Sequence, residues 1–274
     1  MSNKILVIGS TGKTGSRVYS KLKEKGMDVR PASRNSDIPF DWYNENTWTT
    51  ALEEITSVYI TFQPDLAVPG SLSIITNFTQ TAKTAGVKKL VLLSGRGEAE
   101  AEACESVIQN SGMAYTIVRA SFFMQNFSEG FWADSIAGKE FLIPTTKTKE
   151  PFVDADDIAD VVVEALLDPK HNGKIYELTG PELLSFQDVI QKVSIALKTD
   201  IQLIQVPIEE YKAILQSYQV PDEVIWLIAY LFTEVLDGRN ESVKDDIELI
   251  LNRKPASFDT YIQKAIKAGF FKIN

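Results

Sequence analysis

The stretch GSTGKTG at 9–15 follows the apolar run KILVI and sets glycines at 9, 12 and 15. That spacing suits a turn that grips a diphosphate. Gly9 permits a tight exit from a strand, Gly12 lets the backbone approach the phosphates, and Gly15 lets the next helix pack closely on the strand. Unpaired N–H groups at the helix start favour an anion, and Thr11, Lys13 and Thr14 add donors. GKT at 12–14 resembles part of a triphosphate loop, but that motif needs a glycine five positions earlier, where Val7 stands. The expected ligand is a dinucleotide. After the second apolar run the chain reads ASRNSD, with Ser33 and Arg34 ahead of Asp37. An arginine there accommodates a ribose 2′-phosphate, so NADP(H) is expected over NAD(H).

A second stretch, VLLSGRGEAEAEACESV at 91–107, reads as strand, glycine turn and acidic helix. Its acids, Glu98, Glu100, Glu102 and Glu105, are expected to form a solvated helix face, with favourable charge near the helix start. Asp154 and Asp156, ahead of IADVVVEAL, are read as helix-cap acids. The single cysteine, Cys104, is expected to pack in the interior. The single histidine, His171 in DPKHNGK, is expected in a solvated turn. One cysteine and one histidine exclude an internal disulfide and argue against a metal site or a histidine-based triad.

These residues need a frame. KILVIG (4–9), MDVRPAS (27–33), SVYITF (57–62), KLVLLS (89–94) and AYTIVRA (114–120) are expected strands, separated by helical patterns at 15–26, about 71–85 and about 98–110. Strand, helix, strand at this spacing implies parallel pairing through right-handed crossovers. Runs that are apolar throughout imply a sheet covered on both faces. The expected fold is α/β, a doubly wound parallel sheet of Rossmann-like type over 1–180, with ligands at the C-terminal strand ends. A smaller, mainly helical substrate-binding lobe is expected over 181–274. It starts with a helix in SFQDVIQKVSIALK, capped by Ser185 with Asp188 three residues on, and continues with helices over about 208–217, 221–237, 243–251 and 257–268.

The 28 basic and 37 acidic residues leave a net charge of −9, which disfavours nucleic acid and anionic membrane. The longest apolar run, VIWLIAYLF at 224–232, falls short of the roughly 20 residues a membrane span needs. With no visible signal peptide, a cytoplasmic location is expected. That run is read as core, as a homodimer surface or as a docking surface for a regulatory partner.

Taken in order, the glycine loop, SRN after the second strand, VLLSGRGE, YTIVRASFFMQNFSEGF and FVDADDIADVVVEAL resemble the NmrA-like family of atypical short-chain dehydrogenase/reductase proteins. LLSGRGE and SFFMQNFSE are similar to the branch containing festuclavine and agroclavine dehydrogenases. The resemblance implies that Gly9, Thr11, Gly12, Lys13, Thr14 and Gly15 hold the diphosphate and that Ser33 and Arg34 meet the 2′-phosphate. It places Asp41 at the adenine, Thr61, Phe62 and Gln63 along the ribose and nicotinamide side, and Ser94 and Gly95 at the end of the strand before the catalytic helix. Arg119, Ala120, Ser121, Phe122 and Phe123 fall where that family's strand end flanks the nicotinamide; many members carry Pro where Ala120 stands here. The Tyr and Lys positions of the wider group fall near Gly97 and Ala101, so that proton-donating dyad is absent.

Without it, carbonyl reduction loses a proton transfer typically worth about 10²–10⁴-fold. An iminium or a quinone depends on it less. The expectation is therefore an NAD(P)H-dependent oxidoreductase delivering hydride to such a small-molecule acceptor. Ser94 and Arg96 are candidate catalytic groups, Gln125, Asn126 and Trp132 are candidate substrate contacts, and no metal is expected. The alternative is a dinucleotide-binding redox sensor without turnover.

Overall fold

The computed structural model describes residues 4–271. In chain order it forms β1 (Lys4–Ile8), α1 (Lys13–Glu24), β2 (Asp28–Ala32), α2 (Trp48–Leu52), β3 (Ser57–Ile60), α3 (Ser71–Thr84), β4 (Lys89–Gly95), α4 (Ala99–Gln109) and β5 (Ala114–Ala120). Next come α5 (Phe131–Ala137), β6 (Glu140–Pro144), α6 (Ala155–Leu167), β7 (Lys174–Leu178), α7 (Phe186–Leu197) and β8 (Gln202–Val206). The chain ends with α8 (Ile208–Ser217), α9 (Asp222–Tyr230), α10 (Asp246–Leu251) and α11 (Phe258–Lys267).

The chain folds into two compact units, each drawn from separated segments. The first comprises the described residues to Ala120, Ala155–Leu178 and Asp246–Asn252; the second comprises Ser121–Asp154, Thr179–Asp245 and the residues from Arg253. The sequence reading drew a single boundary at 180. The units instead divide at several points, because the chain leaves the sheet after Ala120 and returns to it for α6 and β7.

In the first unit a six-stranded sheet runs β2-β1-β3-β4-β5-β7, and every pair is parallel. This is the doubly wound arrangement expected. Ile5, Leu6, Val7, Val58, Leu90, Val91 and Leu92 are fully buried, as strands covered on both faces must be. The strand order reverses direction between β1 and β3, and such a reversal opens a crevice at the C-terminal strand ends. Helix α1 lies along α6 through Arg17–Asp156 (2.8 Å), Lys21–Asp160 (2.6 Å) and Lys25–Glu164 (3.8 Å). The four-residue spacing on both helices aligns these pairs on facing stripes. Asp156, read from sequence as a cap acid, is thus engaged in an ion pair to α1.

The second unit is organised around aromatic rings. Phe127 packs within 6 Å, centroid to centroid, of Trp132 (5.2 Å), Phe152 (5.3 Å), Phe258 (5.5 Å) and Phe141 (5.7 Å). The expected helices form, except that the one expected over 243–251 is α10 of the first unit, and the capping box at Ser185 and Asp188 forms with both reciprocal bonds. The helix expected over 221–237 is α9 continued by a π-helical turn at Leu231–Val235. A small parallel sheet, β6 with β8, was not expected in a mainly helical lobe. Strands this short and isolated give little periodic signal, and each is defined only by its partner.

Candidate active site

The turn between β1 and α1 has the geometry the glycine spacing implied. Gly9 has φ of +67°, and its N–H-accepting carbonyl takes the Gly12 N–H at 2.8 Å. A side chain on Gly15 would strike the Gly9 carbonyl, and one on Gly9 would strike the Thr61 methyl. Both positions therefore require glycine. Gly12 caps α1, no side chain bonds to the cap, and the first turn holds no acid. The N-terminal dipole of a twelve-residue helix thus faces the loop, and its own first turn contributes no acid to neutralise it. Thr11 is exposed and Lys13 half-buried beside it. Thr14 is buried, and its hydroxyl oxygen accepts a hydrogen bond from the Tyr59 phenol at 2.9 Å. Its hydroxyl belongs to the sheet packing, and the donor it presents to the loop is its backbone N–H.

On the β2 side, Ser33 bonds Ser36 through their hydroxyls (2.9 Å), which folds the tip back on itself. Arg34 is exposed, and no hydrogen bond or ion pair among the described residues engages it. Asp41 accepts the Tyr43 N–H at 3.1 Å, while its carbonyl accepts the Trp48 indole N–H at 2.8 Å. The Trp42 indole donates to the Thr61 carbonyl (3.0 Å) and its ring packs on Phe62 (5.1 Å). Thr61 and Phe62 are thereby fixed, and the Gln63 amide nitrogen comes within 3.5 Å of where a side chain on Gly12 would begin. These residues fit a dinucleotide: an uncapped helix start for its diphosphate, and an unpaired guanidinium on the second strand tip.

Beyond β3 the strand ends rest on buried charge. Ser94 and Gly95 of β4 lie opposite Arg119 and Ala120 of β5. The Ser94 hydroxyl donates to Glu105 Oε1 at 2.6 Å, and Arg119 donates to both Glu105 oxygens, Nε at 2.9 Å and Nη2 at 2.6 Å. This bidentate bond holds the Arg119 guanidinium more firmly protonated than usual. The Arg96 side chain is buried with its Nε 3.7 Å from Glu177, and its N–H donates to the Ala120 carbonyl. Ser94, a candidate catalytic hydroxyl by sequence, has its proton committed to Glu105.

The acid run departs from the expected solvated face. Glu105 is 0% exposed and Glu98 only 6%, whereas Glu100 is exposed. Glu98, Ala101, Glu105 and Ile108 follow helical spacing, so these two acids share the buried stripe with Ala101, Cys104 and Ile108. That periodicity was the signal available in the sequence. The Glu98 carboxyl hydrogen-bonds Asp65, in the loop after β3, and lies where a side chain on Gly95 would be. Burial, followed by the neighbouring Asp65 charge, pushes Glu98 well above the ordinary carboxylate range. Cys104 is buried as expected, and burial raises its thiol. His171 is not solvated: it is 2% exposed, its Nδ1 lies 2.8 Å from the Tyr176 hydroxyl, and burial lowers its pKa. Its turn folds back beneath β5, where Thr116 donates to the His171 carbonyl.

The remaining candidates belong to the second unit. Ser121 is buried with no hydrogen-bond partner for its hydroxyl among the described residues. Phe123 is half-buried and pairs with Val153 through a β-bridge. Gln125 is buried and donates to Asp154 Oδ1 at 2.7 Å; Lys264 stands 3.9 Å from the other Asp154 oxygen. Asn126 is half-buried. Trp132 is enclosed by Phe127, Phe141, Phe186 and Phe232 and hydrogen-bonds the Tyr211 hydroxyl, so its ring serves packing. Among the described residues no group of three potential ligand side chains could hold a metal, and no helix is long and apolar enough to cross a membrane.

A parallel sheet with a glycine cradle at the point where its strand order reverses defines a Rossmann-like dinucleotide-binding protein. The NmrA-like family profile matches residues 1–262, and the chain belongs to that family. It is 29% identical to the NAD(P)H azoreductase of Xenophilus azovorans over 97% of this chain and 99% of that one. It is also 29% identical to the agroclavine dehydrogenase of Claviceps fusiformis, over 94% and 96% of the two chains. Among solved structures, an NADPH-dependent quinone oxidoreductase from Escherichia coli in complex with NADPH superposes with a TM-score of 0.81 at 18% identity, over 96% of this chain and 99% of that one.

Proposed function

We propose that this protein is an NADPH-dependent oxidoreductase that reduces an activated small-molecule acceptor: a quinone, an azo compound or a cyclic iminium. Family membership and the similarity to proteins named as an azoreductase and a dehydrogenase support the class. The observation that carries the reading is the pairing of an acid-free, glycine-capped α1 start with the unengaged Arg34 at the next strand tip. Together they match a diphosphate and a 2′-phosphate on one ligand.

The reduced cofactor, when bound, supplies a hydride to the acceptor. The chain's own residues do the rest. The backbone N–H groups of the Gly12–Gly15 turn would hold the diphosphate, with Thr11 and Lys13 at its edge. Arg34 and Ser33 would hold the 2′-phosphate, and Asp41 would meet the adenine. Gln63, Gly95 and Ala120 would flank the nicotinamide, over a floor kept rigid by Ser94, Glu105 and Arg119. Gln125 and Asn126 are the proposed substrate contacts. Helix α4 contains no Tyr or Lys, so an acceptor that needs a proton would draw it from another group.

Calorimetry with NADP and NAD, before and after Arg34→Ala, tests the cofactor choice. The variant should lose about 10–100-fold in NADP affinity, the scale of roughly 1.5–3 kcal/mol for a hydrogen bond to a charged group, and nothing in NAD affinity. Unchanged NADP binding would overturn the assignment of Arg34. Anaerobic mixing with NADPH and a panel of quinone, azo and iminium acceptors tests the chemistry. Oxidation above background with at least one is expected, and none would favour the sensor role.

A further inference from the structure

Two carboxyls left over from the cradle and its floor, the buried Glu98 and the half-buried Asp65, stand on the side where the opposite half of the ligand would lie. With the diphosphate on the β1–α1 turn and Arg34 beyond β2, the other half of a dinucleotide extends over β3 and β4. Asp65 follows β3 by five residues, two after Gln63, whose amide reaches the cradle glycine Gly12. Glu98 folds back onto Gly95 at the end of β4, in space that only a glycine leaves open. We propose that the Asp65–Glu98 pair is a one-proton acid and the proton donor for acceptors whose reduction leaves negative charge on oxygen or nitrogen. The proposal rests on the oxidoreductase reading above.

Hydrogen-bond inventory assigns the proton. Asp65 accepts from the Ala67 N–H at 2.9 Å, from the Leu66 backbone and from Glu98. Three donors suit an ionised carboxylate. Two carboxyl groups can bond each other only with a proton between them, so Glu98 is the neutral member and donates to Asp65. Its second oxygen, Oε2, is buried and has no hydrogen-bond partner among the described residues. A neutral acid tolerates such an oxygen far better than a carboxylate does. The surrounding charges act the same way. Glu100 and Glu105 on α4 and Asp65 on the β3 side all disfavour a charge on Glu98, and the Arg119 guanidinium is committed to Glu105.

The step balances without a further reagent. When hydride adds to a quinone or an azo group, the displaced electron pair settles on oxygen or on the second nitrogen. The Glu98 O–H bond breaks, its proton crosses the shared bond to Asp65, and the half-buried Asp65 carboxyl passes it to that atom. One proton then returns to the pair from water. An iminium becomes a neutral amine on accepting hydride and draws nothing from the pair.

Glu98→Gln is the informative variant, because its amide still donates to Asp65 and still fits over Gly95 but cannot release a proton. Infrared spectra across pH should show a protonated-carboxyl band near neutrality in the wild type that is missing in Glu98→Gln and shifted in Asp65→Asn. Single-turnover rates with quinone and azo acceptors should fall about 10²-fold or more in Glu98→Gln and lose their alkaline decline. An iminium acceptor should be reduced at close to the wild-type rate, and NADPH affinity by calorimetry should hold. A spectrum without that band, or equal slowing of all acceptor classes, would overturn the proposal. Failure of the wild type to bind NADPH would remove the oxidoreductase reading itself, a result distinguishable because it needs no variant.

Discussion

Around Ser94 in the sheet-bearing unit the interior is charged: Glu105 lies at 0% exposure with Arg119 forked across it, and Glu98 is buried against Asp65. Around Phe127 in the other unit the interior is aromatic, with rings meeting edge to face. Both are well packed, but they do different work. Rings contribute stability through area removed from water, and they tolerate no empty volume. Buried ion pairs contribute little net stability, since desolvation offsets their attraction, but they fix groups in one geometry and hold charges where chemistry can use them. Buried charge at the strand ends therefore fixes side-chain geometry in one unit, and the aromatic cluster contributes burial in the other.

The largest expected effect comes from emptying the aromatic cluster. Phe127→Ala should cost about 4 kcal/mol of unfolding free energy in a urea titration. A loss under about 1 kcal/mol would show a cluster able to collapse, and would weaken the contrast. Next, Arg119→Leu strands Glu105 as an uncompensated buried charge and should cost roughly 3 kcal/mol. Adding Glu105→Leu should restore most of that loss in thermal unfolding, because a matched apolar pair replaces a pair whose net contribution is small. No recovery would mean that the network contributes stability in its own right. A smaller effect tests the helix start in the ring-bearing unit: Ser185→Ala should cost about 1 kcal/mol through loss of the α7 cap.

The smallest effect is a pH dependence. Hydrogen bonds from the Ser185 hydroxyl and backbone hold the Asp188 carboxyl below its ordinary value. A carboxyl depressed on folding contributes stability that is present above the unfolded value and is lost as pH falls through the folded one. Denaturation midpoints of the wild type should therefore drop further than those of Asp188→Asn as pH is lowered past the ordinary aspartate range. Parallel curves would remove this contribution.

Local signals were readable in the chain. GSTGKTG specified its turn, and Ser185 with Asp188 specified its capping box. The apolar runs specified the five strands that lead up to Ala120, because each depends on residues within a few positions. Glu98 and Glu105 were misread because four alternating acids suggest a wet surface, although two of them fall on the stripe of Ala101 and Ile108. His171 was misread because a turn rich in polar residues gives no sign that it folds back under β5. The β6–β8 pair was missed because each short strand gains its identity from a partner about sixty residues away.

What the chain determined alone is the cradle. Gly9 is required by its positive φ and Gly15 by the Gly9 carbonyl just before it in the chain, so local sequence suffices to place the turn. What only the folded protein decided is which carboxyls lie out of water and which atoms face them. The charge state of Glu98 depends on desolvation and on Asp65, brought beside it by the pairing of β3 with β4 across more than thirty residues of chain, and no local pattern encodes that distance.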